Sequence, residues 1–482
     1  MRKKIIHDIS ANTLQAGINQ LCGFVIFYIL SISLDKDHFG EINWSLAVLL
    51  TSFGILACGI DQVALKRIAS GNDAQPVLAA FIMHVLIAGI IFYLSLLLSY
   101  FLFPHFHQQH NLLLLLGIAK LMIFFSTPFK QLATGLGKFR PLLIMSICSN
   151  LVRSIALLVL SAFGNTDLST IIFIFIIGDL SELILCIFIT IKVIKIPVRL
   201  QWNKKNYTGL FRESIPQLGV AVITSIIARF DWIFLGIFTS SIILADYSFA
   251  YKVFEMSTLP LLVIAPVLIS RFAKLFHPAA AKLSVDKTAG IIMLLKMEML
   301  IASFTAMVLN ILWVPVIDLI THGKYGFVNR QTILILSACM PFLYLNNFLW
   351  TINFSKGRLK MIFYVFLFTL LANLAGDIIL IPFFKGEGAA IGYLLAMITQ
   401  SFLYFRQTNI DGLKKNSYCI ILFPCFAAIS GYCAYWLLPN SFLALITATI
   451  FYFLLLIVTK QLRYEDWLSL KRITGSQGQP VQ

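Results

Sequence analysis

The sequence predicts an all-α membrane protein of about fourteen transmembrane helices, and three observations carry that prediction. Hydrophobic residues make up 59% of the 482-residue chain and charged residues only 12%, with a mean hydropathy of +0.88. A soluble domain carries roughly 25% charged residues, so this chain lacks the polar surface to face water. Its apolar residues fall into repeated runs of about twenty, the length that crosses a bilayer core as a helix. Basic residues then recur in short bursts between alternate runs, which is the signature of membrane orientation.

The first six spans are expected near 12–34, 41–63, 77–103, 112–136, 141–163 and 169–194. Six more follow near 213–238, 243–270, 288–320, 331–354, 361–383 and 387–408, and two near 417–437 and 440–460. With the amino terminus inside, about 27 basic residues lie on the cytoplasmic side against about four outside (Lys36, Lys324, Arg330, Lys385). An odd helix count would destroy that asymmetry, so both termini are expected to be cytoplasmic. Arg2, Lys3 and Lys4 precede the first run, but no small-residue cleavage site follows it, so the first helix itself is expected to direct insertion.

The net charge of +16 does not indicate nucleic acid, because the basic residues form no patch with interleaved aromatics. The eight cysteines all lie in apolar runs without a CxxC pair, as small apolar residues of a membrane interior do. No metal-ligand cluster is evident; His105, His107 and His110 read as a polar loop.

The longest polar stretch, Lys195 to Glu213, separates two similar halves. Gly135-Leu136-Gly137-Lys138-Phe139-Arg140 before the fifth span is echoed by Ser355-Lys356-Gly357-Arg358-Leu359-Lys360 before the eleventh, with Asn150 and Asn373 at similar depth. Six intervening helices give both halves the same orientation, so the repeat is parallel about the membrane normal. The expected organisation is residues 1–205 for helices 1–6, 206–412 for helices 7–12, and 413–482 for helices 13–14 and the tail.

Ionisable residues inside a bilayer are costly and face a wet interior or one another, which makes them the candidate sites. Arg153 and Arg229 fall near mid-depth of the fifth and seventh spans. Arginine presents a planar fork that matches phosphate oxygens, but pairing with a neighbouring acid accounts for either residue equally simply. Lys252 stands three residues from Glu255 and suits a local salt bridge. Lys120 and Lys130 lie towards helix ends, where lysines snorkel. Asp179 and Glu182 share one face of the sixth span; ion coupling and an inter-helix partner such as Arg153 explain them equally. Asp231 points away from Arg229 on the same helix, and Asp61 and Asp377 are lone acids with the same ambiguity. Asn12, Gln15 and Asn19 at i, i+3 and i+7 form one polar face of the first helix, expected to line a cavity or to meet another helix. Gly388 and Gly392 make a GxxxG step suited to close packing. Pro260 and Pro266 interrupt the eighth span.

Four stretches resemble the lipid-linked oligosaccharide (O-antigen type) flippases, the polysaccharide transporter branch of the multidrug/oligosaccharidyl-lipid/polysaccharide exporter superfamily. They are Gly59-Ile60-Asp61-Gln62-Val63-Ala64-Leu65-Lys66-Arg67; Ser214-Ile215-Pro216 with Arg229-Phe230-Asp231-Trp232; Tyr247-Ser248-Phe249-Ala250-Tyr251; and Gly357 through Asn373 with Ile381-Pro382 and Gly386-Glu387-Gly388. The resemblance implies two six-helix lobes around a central cavity in a bacterial inner membrane. It further implies alternating access that carries an undecaprenyl-pyrophosphate-linked glycan to the periplasmic leaflet, with no cofactor beyond an H+ or Na+ coupling ion. Membrane lipids, polysaccharide polymerase and chain-length proteins are the implied partners. The rival readings are a flippase for the peptidoglycan precursor, a multidrug/cation antiporter of the same superfamily, and a membrane-embedded glycan polymerase, ligase or acyltransferase. The enzyme reading is disfavoured because the outside loops span few residues and hold no acid–base cluster.

Overall fold

The computed structural model describes residues 2–102, 107–164, 167–198, 203–261, 264, 268, 272, 285–408 and 418–461, with the backbone alone for 2–13, 107–110 and 285–289. Among these residues every regular element is a helix. Hydrocarbon offers no hydrogen-bond partner to a peptide group, so a helix, which satisfies its own backbone, is the answer for an apolar run inside lipid.

The amino-terminal unit spans Met1–Ser248 and the carboxy-terminal unit Phe249–Gln482. The first contains α1 (Arg2–Ser33), α2 (Lys36–Leu56), α3 (Ile60–Ala69), α4 (Ala74–Leu102), α5 (His107–Gly135), α6 (Phe139–Phe163), α7 (Leu168–Ile189) and α8 (Lys204–Phe238). α9 (Ser241–Ser257) straddles the boundary, and α10 (Val285–Thr321), α11 (Arg330–Ala338), α12 (Met340–Ser355), α13 (Leu359–Gln407), α14 (Cys419–Leu437) and α15 (Ser441–Val458) complete the second.

Twelve described helices are long and apolar enough to cross a membrane. One of them, α13, has 49 residues and at 1.5 Å per residue would run about 74 Å, over twice a bilayer core. It is broken at Lys385, whose φ of 53° and ψ of −126° are not helical, so it accounts for the eleventh and twelfth expected spans. The span expected near 243–270 begins as α9, and most of its second half lies outside the described residues. α9 stops at Ser257, just ahead of Pro260; Pro266 and His105 lie outside the description, as do the side chains of His107 and His110.

Local details depart from expectation in three places. The second span ends at Leu56, because Cys58 (φ 52°) and Gly59 (φ 69°) enter the left-handed region. Gly59 there lies against Gln217 and Leu218 of α8, where a Cβ would meet backbone. Asp61 therefore opens the short helix α3 instead of sitting inside α2. The stretch after the sixth span is shorter than it reads, since α8 begins at Lys204 with Asn203 capping the Asn206 N–H at 3.2 Å. Finally, the compact units divide at Ser248, whereas the boundary expected near 205 separates repeated halves. α8 packs along α2, with Gly236 closed over Trp44 and Gly54 over Ser225. Trp44 Nε1 donates to the Ile233 carbonyl at 3.3 Å, and Asn43 Nδ2 to Ser248 Oγ at 3.0 Å. Lys36 pairs with Asp246 at 2.6 Å and Arg67 with Glu213 at 2.8 Å.

In the second unit, lipid supplies no hydrophobic drive for helix association, so close van der Waals contact and polar ties take over. Gly376 meets Gly392 backbone to backbone across the break in α13, and Gly388 lies against the Leu380 carbonyl. α12 is tied to the later half of α13 by Asn346 Nδ2 to the Met397 carbonyl (3.0 Å), Ser401 Oγ to Asn346 Oδ1 (2.7 Å) and Asn353 Nδ2 to Thr408 Oγ1 (2.7 Å). The loop after α10 is closed by Asp318, which accepts from the Gly326 N–H at 2.7 Å, while Trp313 Nε1 donates to the Gly326 carbonyl at 2.8 Å.

The glycine contact gives a direct test. Gly392→Leu should destabilise the fold by about 1–3 kcal/mol or more through overpacking, whereas Gly164→Asn, at a left-handed helix end with open space, should change little. Thermal unfolding of the two variants in detergent measures the difference.

Candidate functional site

The densest polar constellation among the described residues joins α5, α6 and α7 inside the amino-terminal unit. Asp179 and Glu182, at i and i+3, place both carboxylates on one face of α7. Asp179 is 0% exposed and Glu182 2%. Lys120 of α5 pairs with Asp179 at 3.0 Å, and Arg153 of α6 pairs with the same carboxylate. Ser149 donates its hydroxyl to Asp179 and accepts from Arg153 Nε at 2.8 Å. Lys130 pairs with Glu182 at 2.5 Å, and Ser126 Oγ donates to Glu182 at 3.2 Å.

The local sequence makes room for this arrangement. Gly178 precedes Asp179, and a Cβ there would come within 2.7 Å of Arg153 Cγ. Phe175, one turn earlier, offers its ring to both cations, with Arg153 Cζ 4.9 Å and Lys120 Nζ 5.4 Å from its centroid. Three cations thus share two carboxylates in a region closed to solvent. Such a network holds three helices together through partners that lipid cannot supply.

The other sequence-selected residues are distributed differently. Arg229 of α8 is half-buried; its guanidinium lies 4.7 Å from the Trp232 ring centroid and donates to the Ala228 carbonyl at 2.9 Å. Asp231 turns to the opposite side, buried, where it accepts from the Tyr247 hydroxyl at 2.6 Å and the Trp232 N–H at 2.9 Å. Lys252 bridges to Glu255 at 2.8 Å along α9. Asn19 accepts from Asn150 Nδ2 at 3.1 Å, tying α1 to α6; Gln15 is half-buried on the same face, and the Asn12 side chain lies outside the described residues. Asp61 accepts from Gln62 Nε2 at 3.2 Å. Asp377 is buried on α13 against Gly392.

One buried acid escaped the sequence reading. Glu298, within α10, is 2% exposed, and its signal was present as a carboxylate in the middle of an apolar run. Among the described residues, no group of three or more His, Cys, Asp or Glu side chains is placed to hold a metal ion.

The network predicts an asymmetry between its members. Asp179→Ala strands Lys120 and Arg153 in an apolar interior and should cost about 3–5 kcal/mol, because an unpaired buried charge is the expensive product. Asp179→Ala combined with Lys120→Met and Arg153→Met should recover most of that loss, read by detergent-solubilised melting and membrane abundance.

Comparison with known proteins fits this architecture. No curated protein matches the chain in sequence. Among solved structures it is similar to the lipid II flippase MurJ in an inward closed conformation, with a TM-score of 0.73 at 15% identity over 96% of this chain and 100% of that one. It is also similar to an inward-facing multidrug resistance MATE family transporter of the MOP superfamily (TM-score 0.66, 12% identity, 85% of this chain and 98% of that one). A MOP superfamily transporter from Pyrococcus furiosus follows at 0.60, with 11% identity over 86% and 96% of the two chains. At such identities the likeness describes the fold. The polysaccharide biosynthesis protein family matches residues 5–276, more than half of the chain, and the chain therefore belongs to that family, as a multi-pass membrane protein with the helical fold of these transporters.

Proposed function

We propose that this protein is a flippase that moves an undecaprenyl-pyrophosphate-linked oligosaccharide from the cytoplasmic to the periplasmic leaflet of a bacterial inner membrane by alternating access, for surface polysaccharide assembly. The observation that carries the reading is the likeness of nearly the whole chain to a lipid flippase in a member of the polysaccharide biosynthesis family. A pyrophosphate headgroup needs cationic partners at membrane depth. Arg229 is the strongest candidate, because it is half-buried with its guanidinium 4.7 Å from the Trp232 ring centroid. Arg153 and Lys120 are already committed to Asp179, and Lys252 to Glu255, so their roles in this reading are to shape the unit and its field. Asp231, Asp61 and Asp377 are candidate acids for exchange of a coupling H+ or Na+. Polymerase and chain-length proteins are the partners this activity would serve.

The drug-antiporter reading has support in the MATE likeness, which is weaker in both TM-score and coverage. A cationic drug would be repelled by an exposed arginine at mid-depth, which is why the anionic lipid is preferred.

A strain lacking its own O-antigen flippase tests the proposal. The wild-type gene should restore surface glycan without conferring resistance to cationic drugs. Arg229→Ala should lower surface glycan about tenfold or more at equal membrane abundance, as loss of a charge-assisted contact implies. Arg153→Ala should instead lower abundance itself. Normal glycan from Arg229→Ala would remove that residue from substrate handling, and drug resistance without glycan would favour the antiporter.

A further inference from the structure

The repeated motif that precedes the fifth and eleventh expected spans has no part in the site described above. In the carboxy-terminal unit it forms the turn from α12 to α13. Gly357 takes a φ of 71°; its N–H donates to the Phe354 carbonyl at 2.9 Å, and the Arg358 N–H to the Asn353 carbonyl at 3.0 Å. The amino-terminal unit closes its turn from α5 to α6 in the same way. Gly137, at φ 65°, donates to the Thr134 carbonyl at 3.0 Å, and the Lys138 N–H to the Ala133 carbonyl at 2.8 Å. In each turn the left-handed glycine ends one helix and is followed by a cation, an apolar residue and a second cation, Lys138-Phe139-Arg140 and Arg358-Leu359-Lys360.

Beside the second turn lies an open groove of about 570 Å³, whose walls include Arg358, Lys360, Met361, Tyr364, Phe368 and Gln407. Its rim is cationic. Arg358 Nη1 donates to the Gln407 carbonyl at 3.1 Å, which fixes the guanidinium against the end of α13. Arg358 and Lys360 are both exposed, and neither pairs with a carboxylate among the described residues. The first turn of α13 holds no acid. Residues 409–417, outside the description, add Lys414 and Lys415 against Asp411, so the sequence following Gln407 is also net basic.

Below the rim the groove becomes apolar. Tyr364 and Phe368 follow Lys360 at i+4 and i+8 on one helix face, 46% and 52% exposed, and Leu371 continues at 51%. Lys360 and Phe368 are about 12 Å apart along the helix, enough to cross an interfacial layer of roughly 5–8 Å and enter hydrocarbon. Tyr364 falls between them, at the depth where an amphipathic ring belongs.

We propose that this groove binds an anionic glycerophospholipid of the surrounding leaflet, with its phosphate between Arg358 and Lys360, its ester region beside Tyr364 and an acyl chain along Phe368 and Leu371. The order of cation, phenol and apolar surface matches the order of phosphate, ester and chain in such a lipid. Guanidinium and ammonium both donate charge-assisted hydrogen bonds to phosphate, and an anionic leaflet draws juxtamembrane cations towards it. A free phosphate would engage the rim alone and leave the apolar stripe uncovered. Because Arg358 is bonded to Gln407, a lipid held there ties the first turn of α13 to its last.

The test uses the full-length protein in phosphatidylcholine vesicles containing a minor fraction of phosphatidylglycerol. Phosphatidylglycerol with a diazirine on its acyl chain should label the peptide that holds Tyr364 and Phe368, located by mass spectrometry. The phosphatidylcholine analogue should label it less. Lys360→Glu reverses one rim charge at an exposed helix start, where an acid suits the helix dipole. It should therefore melt like the wild type in detergent while losing about fivefold or more of the label, and Lys360→Arg should retain the label. Equal labelling by the two lipids, unchanged labelling in Lys360→Glu, or its loss in Lys360→Arg overturns the proposal. Inorganic phosphate that abolishes the label at constant ionic strength would show a phosphate site and overturn it equally. The readout involves no glycan export, so the lipid site and the flippase reading stand or fall separately.

Discussion

Inside a bilayer a polar side chain can turn only to other protein groups, and that constraint organises this molecule more than any hydrophobic collapse does. Its fullest expression is the Asp179 carboxylate, which Lys120, Arg153 and Ser149 reach from two other helices. Removing the acid would leave two cations with nothing to replace it, so this carboxylate, together with Glu182 and its partners Lys130 and Ser126, ties α5, α6 and α7. The surrounding details follow from that demand. Gly178 leaves space for the guanidinium, and Phe175 gives both cations an aromatic face.

The two units meet the same constraint by different means. The amino-terminal one uses ion pairs, with further ties from Arg67 to Glu213 and Lys36 to Asp246. The described part of the carboxy-terminal one uses glycine contacts, such as Gly376 against Gly392, and neutral amide bonds from Asn346 and Asn353.

Two pairings of the candidate residues were readable from the sequence, Lys252 with Glu255 and Arg153 with the Asp179 face, whereas Lys130 with Glu182 and Asn19 with Asn150 were not. The i, i+3 spacing of Asp179 and Glu182 put both on one face, and the opposed directions of Arg229 and Asp231 follow from two residues of helical rotation. Arg153 meets Asp179 from another helix, 26 residues away in the chain. Asn19 likewise reads as cavity or contact until Asn150, 131 residues distant, is seen to donate to it. Glu298 stands in an apolar run of α10, and its burial depends on the helices packed around it.

The sequence by itself determined that the chain crosses a membrane as helices, about how many times, and where most of the runs begin and end. These are local properties, since hydropathy over twenty residues and the need to satisfy backbone groups leave only one conformation. Tertiary structure decided where α2 breaks, because Gly59 is required by the approach of α8 at Gln217. It decided which charges neutralise one another. Those outcomes depend on a few ångströms between helices distant in the chain, and no periodicity along one helix carries that information.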